Sequence, residues 1–383
     1  MRRISPVRVF LIPVVFGAAI LGTAAVAAAQ PVCNSAIGEH LMSWPTQAPV
    51  WQLCWLRPSQ SSGVNGSGVE IRNVYYNGHL AMKRGHVPIL NVQYEAGQCG
   101  GANHCYRDWL TSEEDYLVDN VCPPPNTGPD CGYAEPSCPP ITVCEQHLGV
   151  DVCPAPPDDC GRQCFHGVSA EKLADRLILT SQNRAGWYRY EMKWTFYLDG
   201  RIQPTFGFSA VDDNCTDYTH RHHAYWRLDF DIDGPLDDIV TEGPDPAPSG
   251  SGGDRGRPGP KPPILVLPTE TQRLNNRPNL TWAVTDASTG RGYRIVPGEE
   301  KALPADTFSV ADVWFLNYHP DELDDSGVIG PACAIKVGKF LNGEPLGNDL
   351  VVWYRTGVRH LGSDLDDCHV VGPTLVPIGD WSP

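Results

Sequence analysis

Beyond residue 29 the sequence has no apolar run approaching the roughly 20 residues needed to cross a bilayer, so the chain after that point is expected to be soluble. Basic residues are scarce: 29 Lys and Arg face 45 Asp and Glu, a formal net charge of −16. That balance repels phosphates, which argues against nucleic acid or another polyanion as partner and weakly favours cationic small molecules such as amines. Helical periodicity is nearly absent, and only Ser169 to Leu179 reads as a short helix, which excludes α and α/β architectures. No internal repeat suggests a solenoid or propeller. No CxxC pair recurs at the spacing of a zinc site.

What is present begins with an export signal. Arg2 and Arg3 precede an apolar stretch from Val7 to Ala28, and Ala27-Ala28-Ala29 gives the small residues that signal peptidase needs before Gln30 and Pro31. Residues 1–29 are read as a signal peptide rather than a retained anchor, and the chain as secreted, extracellular or periplasmic. All 14 cysteines follow it, and in an exported chain an even number points to disulfides. Seven of them (Cys122, Cys131, Cys138, Cys144, Cys153, Cys160 and Cys164) lie in a proline-rich insertion, 118–165, with few apolar residues. Such a segment cannot bury a core, so cross-links must order it. Their pairing stays open.

Strand signals fill the rest. Val69 to Tyr76 and Val87 to Tyr94 flank a turn at Asn77-Gly78, and Lys193 to Leu198 with Arg201 to Phe206 flank Asp199-Gly200, a two-residue hairpin signal. Tyr225 to Gly234 alternates, and Asp349 to Tyr354 and Val370 to Ile378 add two more. The expected class is all-β, a large β-sandwich in one domain over 69–383. A lead-in segment, 30–68, precedes it, and a flexible Gly/Pro loop, 243–263, interrupts it.

His220-Arg-His222 leads into one of these strands. Residues two apart on a strand point the same way, so both imidazoles can meet one metal ion. Taken alone, the pair is more ordinarily a surface feature. His223 would face the opposite side. A third candidate, His360, follows Thr356-Gly357-Val358-Arg359, and three imidazoles with an open position suit copper without any thiolate.

At these residues the chain resembles the copper amine oxidases. The family's HxH motif runs into a strand ending Arg-Leu-Asp and then Ile-Asp-Gly, and here His220-Arg-His-His-Ala-Tyr-Trp-Arg-Leu-Asp-Phe-Asp-Ile-Asp-Gly234 is similar. The family's third ligand sits in Trp-Tyr-x-x-Gly-Val-x-His, matched by Trp353-Tyr-Arg-Thr-Gly-Val-Arg-His360. Arg291 to Pro297 and Ala311 to Glu322 also read like that family, so the likeness runs from about Trp51 to the C-terminus.

The resemblance implies a catalytic β-sandwich with copper on His220, His222 and His360. It also implies topaquinone made from Tyr188, which lies eight residues beyond Arg176-Leu-Ile-Leu-Thr180 within Gly186-Trp-Tyr-Arg-Tyr190. Tyr190 is the second candidate precursor, and Trp187 is a departure, since the family has Asn before the precursor. It assigns Asp108 as catalytic base, with Glu114 and Asp115 as competitors, and Tyr94 as the hydroxyl that holds the quinone. Asp229 and Asp349, with the carbonyls of Phe230 and Leu350, match carboxylates the family uses for calcium, hard oxygen donors unsuited to copper. The implied reaction converts a primary amine with O2 and water to aldehyde, ammonia and hydrogen peroxide, and a homodimer is implied too. The competing reading is a catalytically silent, secreted copper-binding or structural protein on the same scaffold. A lysyl-oxidase-like cofactor fits less well, because the third histidine is far from the HxH pair.

Overall fold

The computed structural model describes residues 30–95, 99, 105–111, 168–185, 188–210, 215, 217–246, 263–298, 310–323, 335–361 and 369–383. The expectations about 1–29, about the whole of 118–165, about Trp187 and about most of the 243–263 loop therefore fall outside the described residues.

The described chain is all-β, in two sheets. The first is built on β1 (His40–Trp44), β2 (Trp51–Leu56), β3 (Glu70–Tyr76), β4 (His79–Tyr94), β5 (Cys105–Asp108), β10 (His220–Phe230), β13 (Thr271–Arg273), β16 (Val313–Asn317) and β17 (Leu350–His360). Their order is β1-β2-β3-β4-β10-β17-β16-β13, with β5 paired to β4. The second uses β6 (Val168–Lys172), β7 (Arg176–Ala185), β8 (Tyr188–Tyr197), β9 (Ile202–Ala210), β11 (Asp238–Pro244), β12 (Leu265–Leu267), β14 (Leu280–Asp286), β15 (Gly292–Val296), β18 (His369–Val371) and β19 (Thr374–Ile378). Its order is β12-β11-β14-β15-β19-β9-β8-β7-β6, with β18 on β9. Segment 30–68 supplies β1 and β2, which extend the first sheet beyond β3.

Two sequence expectations need correction. Ser169 to Leu179 is not helical but forms β6, a turn and the start of β7. Its Ala, Glu, Lys and Leu favour a helix locally, yet β7 has a partner on each side, and Leu177 and Leu179 both bury against the other sheet. Tertiary pairing overrides propensity there. The turn near Asp199-Gly200 is also longer than two residues, because β8 stops at Tyr197 and β9 starts at Ile202. Of that pair only Gly200 has positive φ (+87°), so the tight turn that needs both residues left-handed cannot close. A side chain at Gly200 would sit 2.6 Å from the Tyr76 ring.

Period two sorts β10 and β17 cleanly. Ala224, Trp226, Leu228 and Phe230, with Leu350, Val352 and Tyr354, face the core between the sheets. Tyr225, Val351 and Trp353 face outward into a second apolar layer with Trp314, Leu316 and Ile335. Both faces of β10 are thereby covered. Pro88, which has no N–H for a ladder, lies where the β4–β10 register shifts between Tyr225 and Arg227. Trp194 meets Trp226 edge-on at 5.1 Å, and Gly85 leaves room for the Trp194 ring. Removing so large a buried ring costs about 3–5 kcal/mol. Disulfides join Cys33 to Cys54 and Cys99 to Cys215.

Candidate active site

The ladder register brings the candidate residues together. His220 lies opposite Tyr94 on β4 and opposite His360 on β17, so three side chains form one row on the inner face. The next row holds His222 and Val92, and Tyr106 pairs with Val92 from β5. One row further, Asp108 pairs with Leu90. From the facing sheet, β8 projects Tyr188 and Tyr190 into the same core, and β9 projects Phe206 and Phe208.

The imidazoles are buried, at 1% exposure for His220, 0% for His222 and 3% for His360. Ring centroids lie 4.7 Å apart for His220 and His360, and 5.0 Å apart for His220 and His222. His220 Nδ1 sits 2.6 Å from the carbonyl of Tyr218, which only an N–H can satisfy. In the neutral ring that leaves the lone pair on Nε2 for a metal. His223, on the other face, meets Arg355 at 3.3 Å instead.

The tyrosines separate into two roles. Tyr188 shares a 2.7 Å hydrogen bond with Tyr94 through their hydroxyls, and its ring centroid lies 4.6 Å from that of His222. Tyr190 stacks beside it at 5.7 Å and donates a short hydrogen bond to Asp108 Oδ2. Its oxygen is also 3.3 Å from His222 Nδ1. Burial, then the neighbouring Asp108, holds the Tyr190 phenol well above its ordinary pKa, so it stays a donor. Sequence reasoning assigned Tyr190 only as a rival precursor. Its position two residues from Tyr188 on one strand is the signal that places it in the site.

Asp108 is half-buried on β5. Burial pushes its pKa up to about 7, against the hydrogen bond from Tyr190, which lowers it. It opens onto a cavity of about 210 Å³ lined by Tyr94, Tyr106, Trp109, Tyr188 and the Cys99–Cys215 disulfide. Glu114 and Asp115 lie outside the described residues. Two other depressions, around Glu242 and Arg277, hold none of these groups.

No protein-family model matches the chain. The amine oxidase of Aspergillus nidulans superposes with a TM-score of 0.54 at 17% identity, over 86% of this chain and 50% of that one. The copper-containing benzylamine oxidase of Hansenula polymorpha gives 0.56 at 14% identity, over 93% and 63%. The lysyl oxidase of Pichia pastoris gives 0.54 at 14% identity, over 86% and 52%. The fold is that of the copper amine oxidases. At such identities the likeness is one of architecture, and this chain spans less than two thirds of each of those chains.

Within this copper amine oxidase fold a second cluster lies at the far end of the β10–β17 pair, roughly 30 Å along the strands at about 3.4 Å per residue. Asp229, Asp231 and Asp349 can bring ligand oxygens within 4.8 Å of one another, and no other group of three His, Cys, Asp or Glu does so among the described residues. The histidine rings thus share a site without reaching that spacing between ligand atoms. Asp229 Oδ2 accepts from Arg227 at 2.9 Å, while Oδ1 of Asp229 and of Asp231 are buried with no hydrogen-bond partner among the described residues. Burial, then the charges of Asp229 and Asp349, pushes Asp231 up to about 7. Phe230 and Leu350 pair in register beside them with side chains in the core, so only their carbonyls could reach an ion. Asp231 was missed in the sequence, although it follows Asp229 by two residues, just past the end of β10 at Phe230.

Proposed function

We propose that this protein is an exported, copper- and topaquinone-dependent oxidase of primary amines. The observation that carries the reading is the convergence, in one buried site, of the Tyr188 phenol, the Tyr94 hydroxyl at 2.7 Å, the His222 ring at 4.6 Å and the carboxyl of Asp108. The amine oxidase neighbours agree in fold.

In this reading His220, His222 and His360 hold copper, a donor set of imidazoles that suits it. Copper supplies electron exchange with O2, and the quinone derived from Tyr188 supplies the electrophilic carbonyl that no unmodified side chain offers. The remaining work falls to the chain itself. Tyr94 fixes the oxygen of residue 188 through its hydroxyl. Asp108 removes a proton from the carbon bearing the substrate nitrogen, and burial keeps it basic enough to do so near neutral pH. Tyr190 holds that carboxylate in place by donating to Oδ2.

The test is direct. Copper-loaded protein should be pink, stain with nitroblue tetrazolium and glycine, and release peroxide on a primary amine. A colourless protein that binds copper but neither stains nor turns over would move the assignment to the catalytically silent alternative.

The distal aspartates suit a hard cation such as calcium. Asp229, Asp231 and Asp349 would hold it, helped by the carbonyls of Phe230 and Leu350. Asp231→Asn should weaken calcium binding by at least about tenfold in calorimetric titration, since it removes one anionic ligand, while leaving copper content unchanged. Unaltered affinity would remove Asp231 from the ligand set.

A further inference from the structure

We infer that the cavity beside Tyr188 takes a primary monoamine with an apolar side chain, and that the Cys99–Cys215 disulfide is the wall against which that side chain packs. This rests on the oxidase reading and names the class of amine within it.

Most of what faces the cavity is apolar. Val92, Ala185 and the disulfide give it aliphatic and sulfur surface, and Tyr106 and Trp109 give it aromatic surface. Among the described lining residues Asp108 is the one ionisable carboxylate, and it belongs to the reacting carbon. Tyr188 and Tyr94 are engaged with each other. The cation nearest in sequence, Arg107, donates to Asn91 at 2.6 Å from the opposite face of β5. A second ammonium on the substrate would therefore lose its water with no counter-charge among the described lining residues to meet it. A methyl or phenyl group loses nothing by the same move and gains contact with the walls. The overall charge of −16 draws monoamines and diamines alike, so the choice between them is made inside the cavity.

Topology explains why a disulfide stands at this point. Cys99 lies between β4, which ends at Tyr94, and β5, which carries Asp108. Cys215 lies between β9 of the second sheet and the first histidine of β10. The bond spans 116 residues and ties the two sheets together beside the cavity. It presents a soft, apolar surface there.

Hexylamine and cadaverine make the test, because they are isosteric and differ in one terminal methyl against an ammonium. The wild-type protein should show kcat/KM at least about tenfold higher for hexylamine. Trp109→Glu places a carboxylate at an exposed edge of the cavity, Trp109 being 48% exposed, and should narrow that ratio severalfold by improving cadaverine. Cys99→Ala with Cys215→Ala should raise KM for hexylamine more than for cadaverine while kcat on both changes less. If that double variant melts at the assay temperature, the Trp109 variant carries the decision alone. Wild-type turnover that is equal for both amines, or better for cadaverine, overturns the inference and leaves the oxidase reading intact. A ratio unmoved in a folded double variant removes the disulfide as the wall. No quinone and no turnover on either amine is a failure of the oxidase reading instead.

Discussion

Asp108→Asn is expected to abolish turnover, with a fall in kcat of about a thousandfold, the scale of a lost general base. Copper content and quinone staining should be unchanged, because Asp108 makes no direct hydrogen bond to the histidines or to Tyr188; its bond is to Tyr190. In the wild-type protein the acid limb of the kcat/KM profile should rise through about pH 7, where Asp108 loses its proton. The raised pKa also has a consequence for stability. The folded state holds the Asp108 proton to a higher pH than the unfolded chain does, so stability falls as pH climbs from about 4 to about 7 and then levels off. The Asn variant escapes that loss and should melt at a higher temperature than wild type at pH 8. The sign follows because a proton bound more tightly in the folded state stabilises it only while it stays bound. Calorimetric melts of both proteins at pH 5 and pH 8 check it. A variant that retains normal turnover would take Asp108 out of the mechanism altogether.

Tyr188→Phe should eliminate activity entirely, since without a phenol no quinone can form. Mass spectrometry of the peptide carrying residue 188, with and without copper, should show added oxygen in wild type and none in the variant. Tyr190→Phe should behave differently. Oxygen should still be added at Tyr188, but Asp108 loses the hydrogen bond that lowers its pKa. The acid limb of the rate profile should then move to higher pH. Activity at pH 7 should drop by about fivefold, the loss of ionised base when it holds its proton roughly ten times more tightly. Added oxygen on Tyr190 rather than Tyr188 would reverse the two roles.

Much of the fold was legible because strands announce themselves by alternation. The HxH spacing put His220 and His222 on one face of β10 and His223 on the other, which is the arrangement observed. The run through Trp353 carried His360 on the paired strand. What could not be read were matters of partner choice. Nothing local to Ser169–Leu179 says that β8 waits to pair with it, and local propensity pointed the wrong way. The link from Cys99 to Cys215 depends on two loops meeting in space. The bond from Tyr190 to Asp108 crosses between sheets, 82 residues apart in sequence. Asp231 was different, because the two-residue spacing that picked out the histidines recurs at Asp229 and Asp231, where β10 ends.

The pairing of β10 with β17 runs without a break from His220 opposite His360 to Phe230 opposite Leu350. Sliding β10 by a single position would turn Arg221 and His223 toward Tyr188 and drive Asp229 and Asp231 into the apolar interior. A cation at either end therefore rewards only one alignment of these strands. If the proposed cations bind, metal loading would act as a proofreader of assembly, and chain produced in a metal-poor medium should accumulate mispaired, protease-sensitive forms.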